Sequence, residues 1–238
     1  MKPYYQTDLG TLYCGDCLEI IPDLEPVDLV LTDPPFFMPA THYQSRIGWQ
    51  KTWGDTSILA TFWKQIMLSF LPKLNRSGHV LVFCNHESYP VFYPLLYEKF
   101  DYLKSLVWNK GHVGLGRIWR NQHELIINAR WKEAKHNNDN KLRADVLTYK
   151  ATPSAKRKHP VEKPIPLLSD LILPTTMVGD VVLDPFLGSG TTSVACERLG
   201  RRWIGIEISE EYCAISKDRI EKEAQQLKLF PGSGGGMK

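Results

Sequence analysis

The stretch VVLDPFLGSGTTSVACERLGRRWIGIEIS, residues 181–209, decides the fold. Its apolar pattern predicts a strand ending at Asp184, a loop with two glycines, a helix from near Thr191 and a second strand ending at Glu207. Strand, loop, helix and strand in this order form the unit from which parallel sheets with helices on both faces are built.

The rest of the chain alternates in the same way. Apolar runs predict strands at 27–32, 80–83, 103–108, 125–128, 181–183 and 203–206. Helical spacing predicts helices at 58–71, 88–99, 166–173, 191–199 and 210–227. Because the strands are apolar throughout, the sequence predicts an α/β fold with a mostly parallel, doubly wound sheet.

The length and the charge distribution predict one domain with a basic insertion. We expect a single domain over 1–230 with a basic insertion at 110–160, and a flexible tail at 231–238. Residues 110–163 hold 13 Lys or Arg and 5 Asp or Glu, whereas the remainder of the chain holds 16 and 21. A basic region this concentrated indicates a polyanionic partner such as nucleic acid.

The short apolar runs and the spacing of the cysteines argue against a membrane protein, a secreted protein and a metal-binding protein. No apolar run approaches the roughly 20 residues that cross a bilayer, and the start MKPYYQTDLG lacks the apolar core of a signal peptide, so we expect a cytoplasmic protein without membrane contact. Cys14 and Cys17 form a C-x-x-C, but the other three cysteines supply no second pair at zinc spacing. We therefore expect neither a metal site nor a disulfide framework.

The glycine loop and Glu207 suit a nucleoside ligand. Glycines allow backbone to approach a ligand closely, and free amides at a helix start favour a carboxylate or phosphate. A carboxylate at the end of the next strand can accept hydrogen bonds from ribose hydroxyls. The loop is neither G-x-x-x-x-G-K-[ST] nor G-x-G-x-x-G. Taken alone it could be a glycine turn with a capping threonine, but Asp184 and Glu207 around it favour the nucleoside.

A second unusual motif also begins where a strand ends. In LVLTDPPFFMPA, residues 29–40, an acid, two prolines and two phenylalanines stop the predicted strand. With LDPFLGSGTT and the intervening HPVEKP, this motif resembles the amino-group DNA methyltransferases that use S-adenosylmethionine and modify adenine N6 or cytosine N4. The catalytic motif precedes the cofactor motif, as in the β class of that family. The resemblance extends from GDCLEIIPDL at 15–24 through Glu207.

The resemblance implies a Rossmann-like methyltransferase fold with S-adenosylmethionine as cofactor. The cofactor-binding residues it implies are Asp16, Cys17, Asp33, His159, Lys163, Asp184, Phe186, Gly188, Ser189, Gly190, Thr191, Thr192 and Glu207. In this set Glu207 is the ribose-binding acid, Asp16 and Cys17 lie against the adenine, and His159 and Lys163 belong to a further cofactor-side motif. By itself His159 would more often be a surface histidine and Asp16 a helix cap.

The chemistry of amino groups explains the composition of TDPPFF. An exocyclic amino group is a poor nucleophile because its lone pair is delocalised into the ring. Asp33 and the carbonyl of Pro34 can each accept one amino hydrogen, which frees that lone pair for attack on a methyl group. Pro34 and Pro35 stiffen the loop, and Phe36 offers a face on which a flipped base can stack. We therefore predict Asp33, Pro34, Pro35 and Phe36 as the catalytic residues, with phenylalanine where the family more often has tyrosine.

The resemblance and the basic segment together imply double-stranded DNA as the partner, with 110–160 as the DNA-contacting, target-recognition insertion. The predicted DNA contacts are Arg117, Arg120, Lys156, Arg157 and Lys158. The resemblance leaves two further partners open. One is a second copy of this chain, because relatives are often dimers, and the other is a restriction enzyme.

Adenine N6 is the favoured target, because within the resemblance aspartate is commoner for adenine and serine for cytosine N4. The alternatives are cytosine N4 methylation and a non-catalytic DNA-binding protein of the same fold. Methylation of RNA or of a protein amide is a third, for which asparagine in place of Asp33 would be expected.

Overall fold

A nine-stranded sheet forms the centre of the molecule in the computed structural model, which describes residues 2–35, 56–114, 118–137, 143–151 and 162–229. The strands are β1 Tyr5–Gln6, β2 Gly10–Cys14, β3 Val27–Thr32, β4 Leu74–Cys84, β5 Tyr102–Asn109, β6 His123–Arg130, β7 Val146–Thr148, β8 Val181–Asp184 and β9 Arg202–Glu207. Their order is β1-β2-β9-β8-β3-β4-β6-β5-β7. Five of the eight strand pairs among the described residues are parallel, so the sheet is mixed and, as predicted, mostly parallel.

Helices cover both faces of the sheet. Those in the described part of the chain are α1 Cys17–Ile20, α2 Thr56–Phe70, α3 Tyr89–Tyr97, α4 Ile165–Ile172, α5 Thr191–Leu199 and α6 Glu210–Leu229, with a short 3-10 turn at Ile21–Asp23. Side chains of α1, α2 and α3 pack in one buried cluster, and those of α4, α5 and α6 pack in another. Strand β3 contributes side chains to both clusters, since Val30 faces the first and its neighbours Leu29 and Leu31 face the second. The fold is therefore doubly wound, as predicted.

The segment 110–160 contributes strands to the sheet. β6 lies between β4 and β5 and is antiparallel to both, and β7 pairs with β5 at the sheet edge. β6 extends the predicted strand at 125–128, whereas β1, β2 and β7 were not predicted. β1 and β7 have only two and three residues, and β2, with the sequence GTLYC, lacks the continuous apolar run from which the other strands were predicted.

The topology brings the unusual motifs to one edge. β8 lies between β3 and β9, and all three run in parallel, so Asp33, Asp184 and Glu207 follow or end strands at the same edge. β2 runs parallel to β9 and pairs Cys14 with Glu207, which places Asp16 there as well. In the ranges that the structure describes, no helix combines the length and the apolar character needed to cross a membrane.

Candidate active site

A cavity of about 370 Å³ opens at this edge of the sheet. Of the residues predicted from the sequence, it is lined by Asp16, Cys17, Asp33, Pro34, Pro35, Lys163, Asp184, Phe186, Gly188, Ser189, Thr191, Thr192 and Glu207. Gly190 does not line the cavity but precedes α5 as its N-terminal cap. The topology thus brings the TDPP motif and the glycine loop to a single cavity, whose size is that of a small-molecule site.

Asp184 holds the glycine loop in shape. Its two carboxylate oxygens accept hydrogen bonds from the Phe186 amide, at 3.1 Å, and from the Thr192 hydroxyl, at 2.6 Å. The side chain is buried, and this burial raises the pKa of Asp184 to about 7. Gly190 has a φ of 81°, in the left-handed region that favours glycine, and α5 begins directly after it.

Glu207 fixes the other side of the same loop. One oxygen accepts from the Gly188 amide at 2.8 Å, and the other accepts from the Ser209 amide at 2.9 Å. Burial raises the pKa of Glu207. Since each carboxylate oxygen has two lone pairs, Glu207 retains acceptor capacity for the hydroxyls of a bound ribose.

Asp16 and Cys17 form the floor next to Glu207. Asp16 caps α1 by accepting from the Leu18 amide at 2.9 Å, and the Gly15 amide donates to the Glu207 carbonyl at 2.9 Å. Burial raises the pKa of Cys17 to about 12, so its thiol is neutral and presents an apolar contact. The cysteines are free, and within the described ranges no group of three His, Cys, Asp or Glu could hold a metal ion.

Asp33 lies in a buried network of alternating charges. The ammonium of Lys163 donates to Asp33 Oδ2 and lies 3.1 Å from Glu124 Oε2. Glu124 Oε1 accepts from Lys110 Nζ at 2.6 Å. We call Asp33, Lys163, Glu124 and Lys110 the Lys163 network. Burial raises the pKa of Asp33 while Lys163 lowers it, and the pKa lies at about 6.

One oxygen of Asp33 has no partner. Oδ1 is shielded from solvent, yet it makes no hydrogen bond within the part of the chain that the structure describes. A buried carboxylate oxygen without a donor is costly, because it has lost its hydration and gained nothing in return. Asp33 lines the cavity, and a ligand N–H group that reached Oδ1 would satisfy it.

Sequence reasoning missed two members of the Lys163 network. Glu124 and Lys110 lie at paired ends of the antiparallel strands β5 and β6, where Trp108 is opposite Glu124. Two opposite charges flanking predicted strands at 103–108 and 125–128 were the available signal. The resemblance assigns Lys163 to the cofactor, and in the structure Lys163 lines the cavity while its ammonium contacts Asp33 and Glu124.

The remaining predicted residues fall in two groups. Arg120 is exposed, and its Nε donates to the Gly114 carbonyl at 2.7 Å. Its neighbours Trp119 and Ile118 are 92% and 88% exposed, which is unusual for large apolar side chains. The predicted residues that lie outside the described ranges are Phe36, Arg117, Lys156, Arg157, Lys158 and His159.

The cavity suits S-adenosylmethionine by the chemistry of its lining. Glu207 offers acceptors for hydroxyls, and the start of α5 offers amides for a carboxylate. Arg219 adds positive charge beside that helix start, because it donates to the Thr191 hydroxyl at 3.0 Å. Phe62 and Phe83 supply apolar walls that the sequence did not indicate.

Comparisons with known proteins agree with this geometry. A family model described as DNA methylase, for N6 and N4 methyltransferases, matches residues 27–218, which include both Asp33 and Asp184. The chain is 33% identical to the type II methyltransferase M2.DpnII of Streptococcus pneumoniae, over 93% of each protein. A crystal structure of an M1.HpyAVI–SAM complex matches 89% of this chain and 99% of that one, with a TM-score of 0.71 and 28% identity. The cytosine-N4-specific PvuII DNA methyltransferase has the same fold, with a TM-score of 0.71 over 95% of each chain and 19% identity.

Proposed function

Since the chain belongs to the N6/N4 DNA methyltransferase family and uses S-adenosylmethionine, we propose that it methylates the N6 amino group of adenine in double-stranded DNA. The observation that carries this proposal is the unpartnered Oδ1 of Asp33 at the cavity. An amino group has two hydrogens to donate, and the carboxylate of Asp33, a residue that lines the cavity, is a suitable acceptor for one of them.

Asp33 acts on the amino group as an acceptor. Oδ1 takes one amino hydrogen and the Pro34 carbonyl takes the other, which draws the nitrogen out of conjugation with the ring. S-adenosylmethionine supplies an electrophilic methyl group carried on a sulfonium. After transfer the nitrogen is cationic and readily loses a proton, so acceptor geometry and alignment matter more than the basicity of Asp33.

The glycine loop holds the cofactor in line with that nitrogen. We propose that the amides at the start of α5, with Ser189, Thr191 and Thr192, bind the amino-acid end of the cofactor. Glu207 binds the ribose hydroxyls, and the Asp16–Cys17 segment contacts the adenine. Asp184 shapes the loop by its bonds to Phe186 and Thr192.

DNA is bound by the connection between β5 and β6 and by the basic residues near 156–158. Positions 111–123 contain two arginines, two histidines and no acidic residue, which suits a phosphate backbone. Exposed Trp119 and Ile118 beside Arg120 suit contact with bases, because apolar side chains wedge between base steps in many DNA complexes. Phe36 remains the proposed stacking surface for the flipped base.

The runner-up is cytosine N4, because the same acceptors serve either amino group. The preference for adenine comes from aspartate rather than serine in the first position of the motif. Relatives are named type II methyltransferases, which supports a restriction enzyme as a functional partner of this protein. The resemblance also leaves open a homodimer, which analytical ultracentrifugation would test.

The target base can be identified directly. The protein is incubated with duplex DNA and methyl-labelled S-adenosylmethionine, the DNA is digested to nucleosides, and the products are resolved by mass spectrometry. We expect label in N6-methyldeoxyadenosine, with none when Asp33→Ala replaces the wild type. Label in N4-methyldeoxycytidine would favour the runner-up, and label only in RNA or in protein would overturn the proposal.

A further inference from the structure

The Lys163 network joins the catalytic acid to residues from distant parts of the chain. Asp33 follows β3, Lys110 follows β5, Glu124 belongs to β6, and Lys163 precedes α4. β3 and β6 are not neighbours, since β4 lies between them. The carboxylates of Asp33 and Glu124 are therefore linked through a side chain, the ammonium of Lys163, rather than through backbone pairing.

Lys163 is shielded from solvent. Its side chain is 6% exposed, and its ammonium lies 4.9 Å from the Phe83 ring centre and 5.9 Å from that of Trp108. Charges separated from water by aromatic walls interact more strongly than charges on the surface, and cation–π contacts favour the charged ammonium. The interaction of Lys163 with Asp33 and Glu124 raises its pKa, so it is a cation throughout the physiological range.

This cation fixes one oxygen of Asp33 and leaves the other for the substrate. The ammonium of Lys163 donates to Oδ2, and a carboxylate held at one oxygen cannot rotate freely. The position of Oδ1 is therefore fixed as well, and Oδ1 has no hydrogen-bond partner in the described ranges. Glu124 shares the same ammonium, and Lys110 neutralises Glu124 in turn. The network thus contains two cations and two anions, and the charge of Lys163 is divided between Asp33 and Glu124.

We propose that Lys163 and Glu124 are positioning residues that set the orientation and charge state of Asp33, with Lys163 keeping it ionised and Glu124 limiting that effect. The proposal rests on the proposed function of Asp33 as the amino-group acceptor. It differs from a cofactor contact of Lys163, since a cofactor contact would alter binding of S-adenosylmethionine rather than the titration of Asp33.

The pH dependence of methyl transfer separates these two possibilities. The charged or titratable groups that act on Asp33 are Lys163, Lys110, Glu124, Asp184 and Cys84. Lys163 and Lys110 lower the pKa of Asp33, while burial and Glu124 raise it. Loss of Lys163 must therefore raise the pKa of Asp33, and loss of the Glu124 charge must lower it.

The experiment measures turnover against pH, with saturating S-adenosylmethionine and duplex DNA, for wild type and four variants. In Lys163→Met the acid limb of the pH–rate profile, where turnover rises as Asp33 loses its proton, moves to higher pH by at least about one unit. Turnover recovers by about pH 9. In Glu124→Gln the acid limb moves to lower pH. In Lys163→Arg, which keeps the charge, the limb stays within about 0.3 unit of wild type although turnover falls, because a planar guanidinium does not fit an ammonium site.

Glu162→Gln is the matched control for Glu124→Gln. Glu162 is the neighbour of Lys163, but its carboxylate pairs with Arg219 on the cofactor-loop side at 3.0 Å. The same change of charge there leaves the acid limb in place and alters the affinity for S-adenosylmethionine. Equal acid limbs in Lys163→Met, Glu124→Gln and wild type, or shifts in the same direction, would overturn the proposal.

A second measurement does not depend on methyl transfer. The carboxyl carbon of Asp33 is titrated by NMR in protein labelled with ¹³C at aspartate, with Asp33→Asn to assign the signal, and thermal melting confirms that each variant folds. Opposite shifts in Lys163→Met and Glu124→Gln are expected here too, and their absence contradicts the proposal. If wild type labels no DNA, the proposed function fails, whereas the titration still decides the effect of Lys163 and Glu124 on Asp33.

Discussion

Two aspartates, Asp33 and Asp184, follow or end adjacent parallel strands and line the same cavity, but their partners differ in kind. Each oxygen of Asp184 accepts a hydrogen bond from a neutral donor of its own loop, the Phe186 amide and the Thr192 hydroxyl. Asp33 receives a cation from a segment 130 residues away and keeps Oδ1 without a partner in the described ranges.

The difference separates a carboxylate that shapes a loop from one that is available for reaction. Burial raises the pKa of both side chains, so a raised pKa alone does not identify the reactive one. What distinguishes Asp33 is that one oxygen has no partner in the described ranges while a charged side chain holds the other. A buried carboxylate whose oxygens are both satisfied within its own loop is better understood as a structural element.

The largest effect is expected from exchanging each aspartate for alanine. Asp33→Ala removes the proposed acceptor, and turnover should fall by about 10³-fold. Asp184→Ala leaves the buried Thr192 hydroxyl and Phe186 amide without an acceptor and should cost about 1–3 kcal/mol of stability. Labelled-methyl assays and urea denaturation measure the two quantities. Near-normal turnover of Asp33→Ala would remove the distinction between the two sites.

A smaller effect is expected in how stability depends on pH. The folded pKa of Asp184, about 7, lies above its ordinary value of 3.8, so the folded state binds this proton more tightly than the unfolded state. The resulting stabilisation is fully present below pH 4 and is lost as pH rises through 7. Between pH 5 and 7 the advantage of wild type over Asp184→Asn should shrink by about 1 kcal/mol per pH unit, as urea unfolding would show. An advantage that does not vary with pH would mean that Asp184 is ionised throughout.

The smallest effect concerns the loop that Asp184 supports. Gly190 and Gly179 both have left-handed φ angles, of 81° and 87°, so alanine at either site should cost about 1 kcal/mol of strain. At Gly190 the new methyl would also lie 3.1 Å from Ser216, whose hydroxyl donates to the Gly188 carbonyl at 2.6 Å, whereas nothing lies within 4 Å at Gly179.

Gly190→Ala should therefore weaken binding of S-adenosylmethionine by several-fold more than Gly179→Ala, at similar loss of stability. Isothermal titration calorimetry makes this comparison. Equal affinities in the two variants would show that the loop tolerates displacement of Ser216, and that Asp184 is sufficient to hold its shape.

The cofactor side of the site was predictable because it is local in the sequence. Asp184, the glycines, the start of α5 and Glu207 all lie within 181–209, and strand, turn and helix signals there are short-range. The doubly wound sheet followed from the same alternation of strands and helices. Its edge strands β1 and β7 could not be predicted, because two or three residues carry no periodicity.

The Lys163 network was not predictable in this way. Its four residues are spread from position 33 to position 163, and in the sequence Lys110 and Glu124 each resemble an ordinary surface charge. Only the placement of β6 between β4 and β5 brings Glu124 within reach of Lys163. Contacts of this kind depend on topology, which local propensity does not determine.

The strand order has a consequence for how the chain folds during synthesis. β8 and β9 lie between β2 and β3 in the sheet, although they are made more than 140 residues after β3 begins. Until residues 181–207 leave the ribosome, β2 has no parallel partner, and one edge of β3 stays unpaired. Such edges invite association with other chains, and contacts so distant in sequence form slowly. The two strands that complete the cavity at this edge of the sheet are thus also the ones that end the period in which the nascent chain is prone to aggregate.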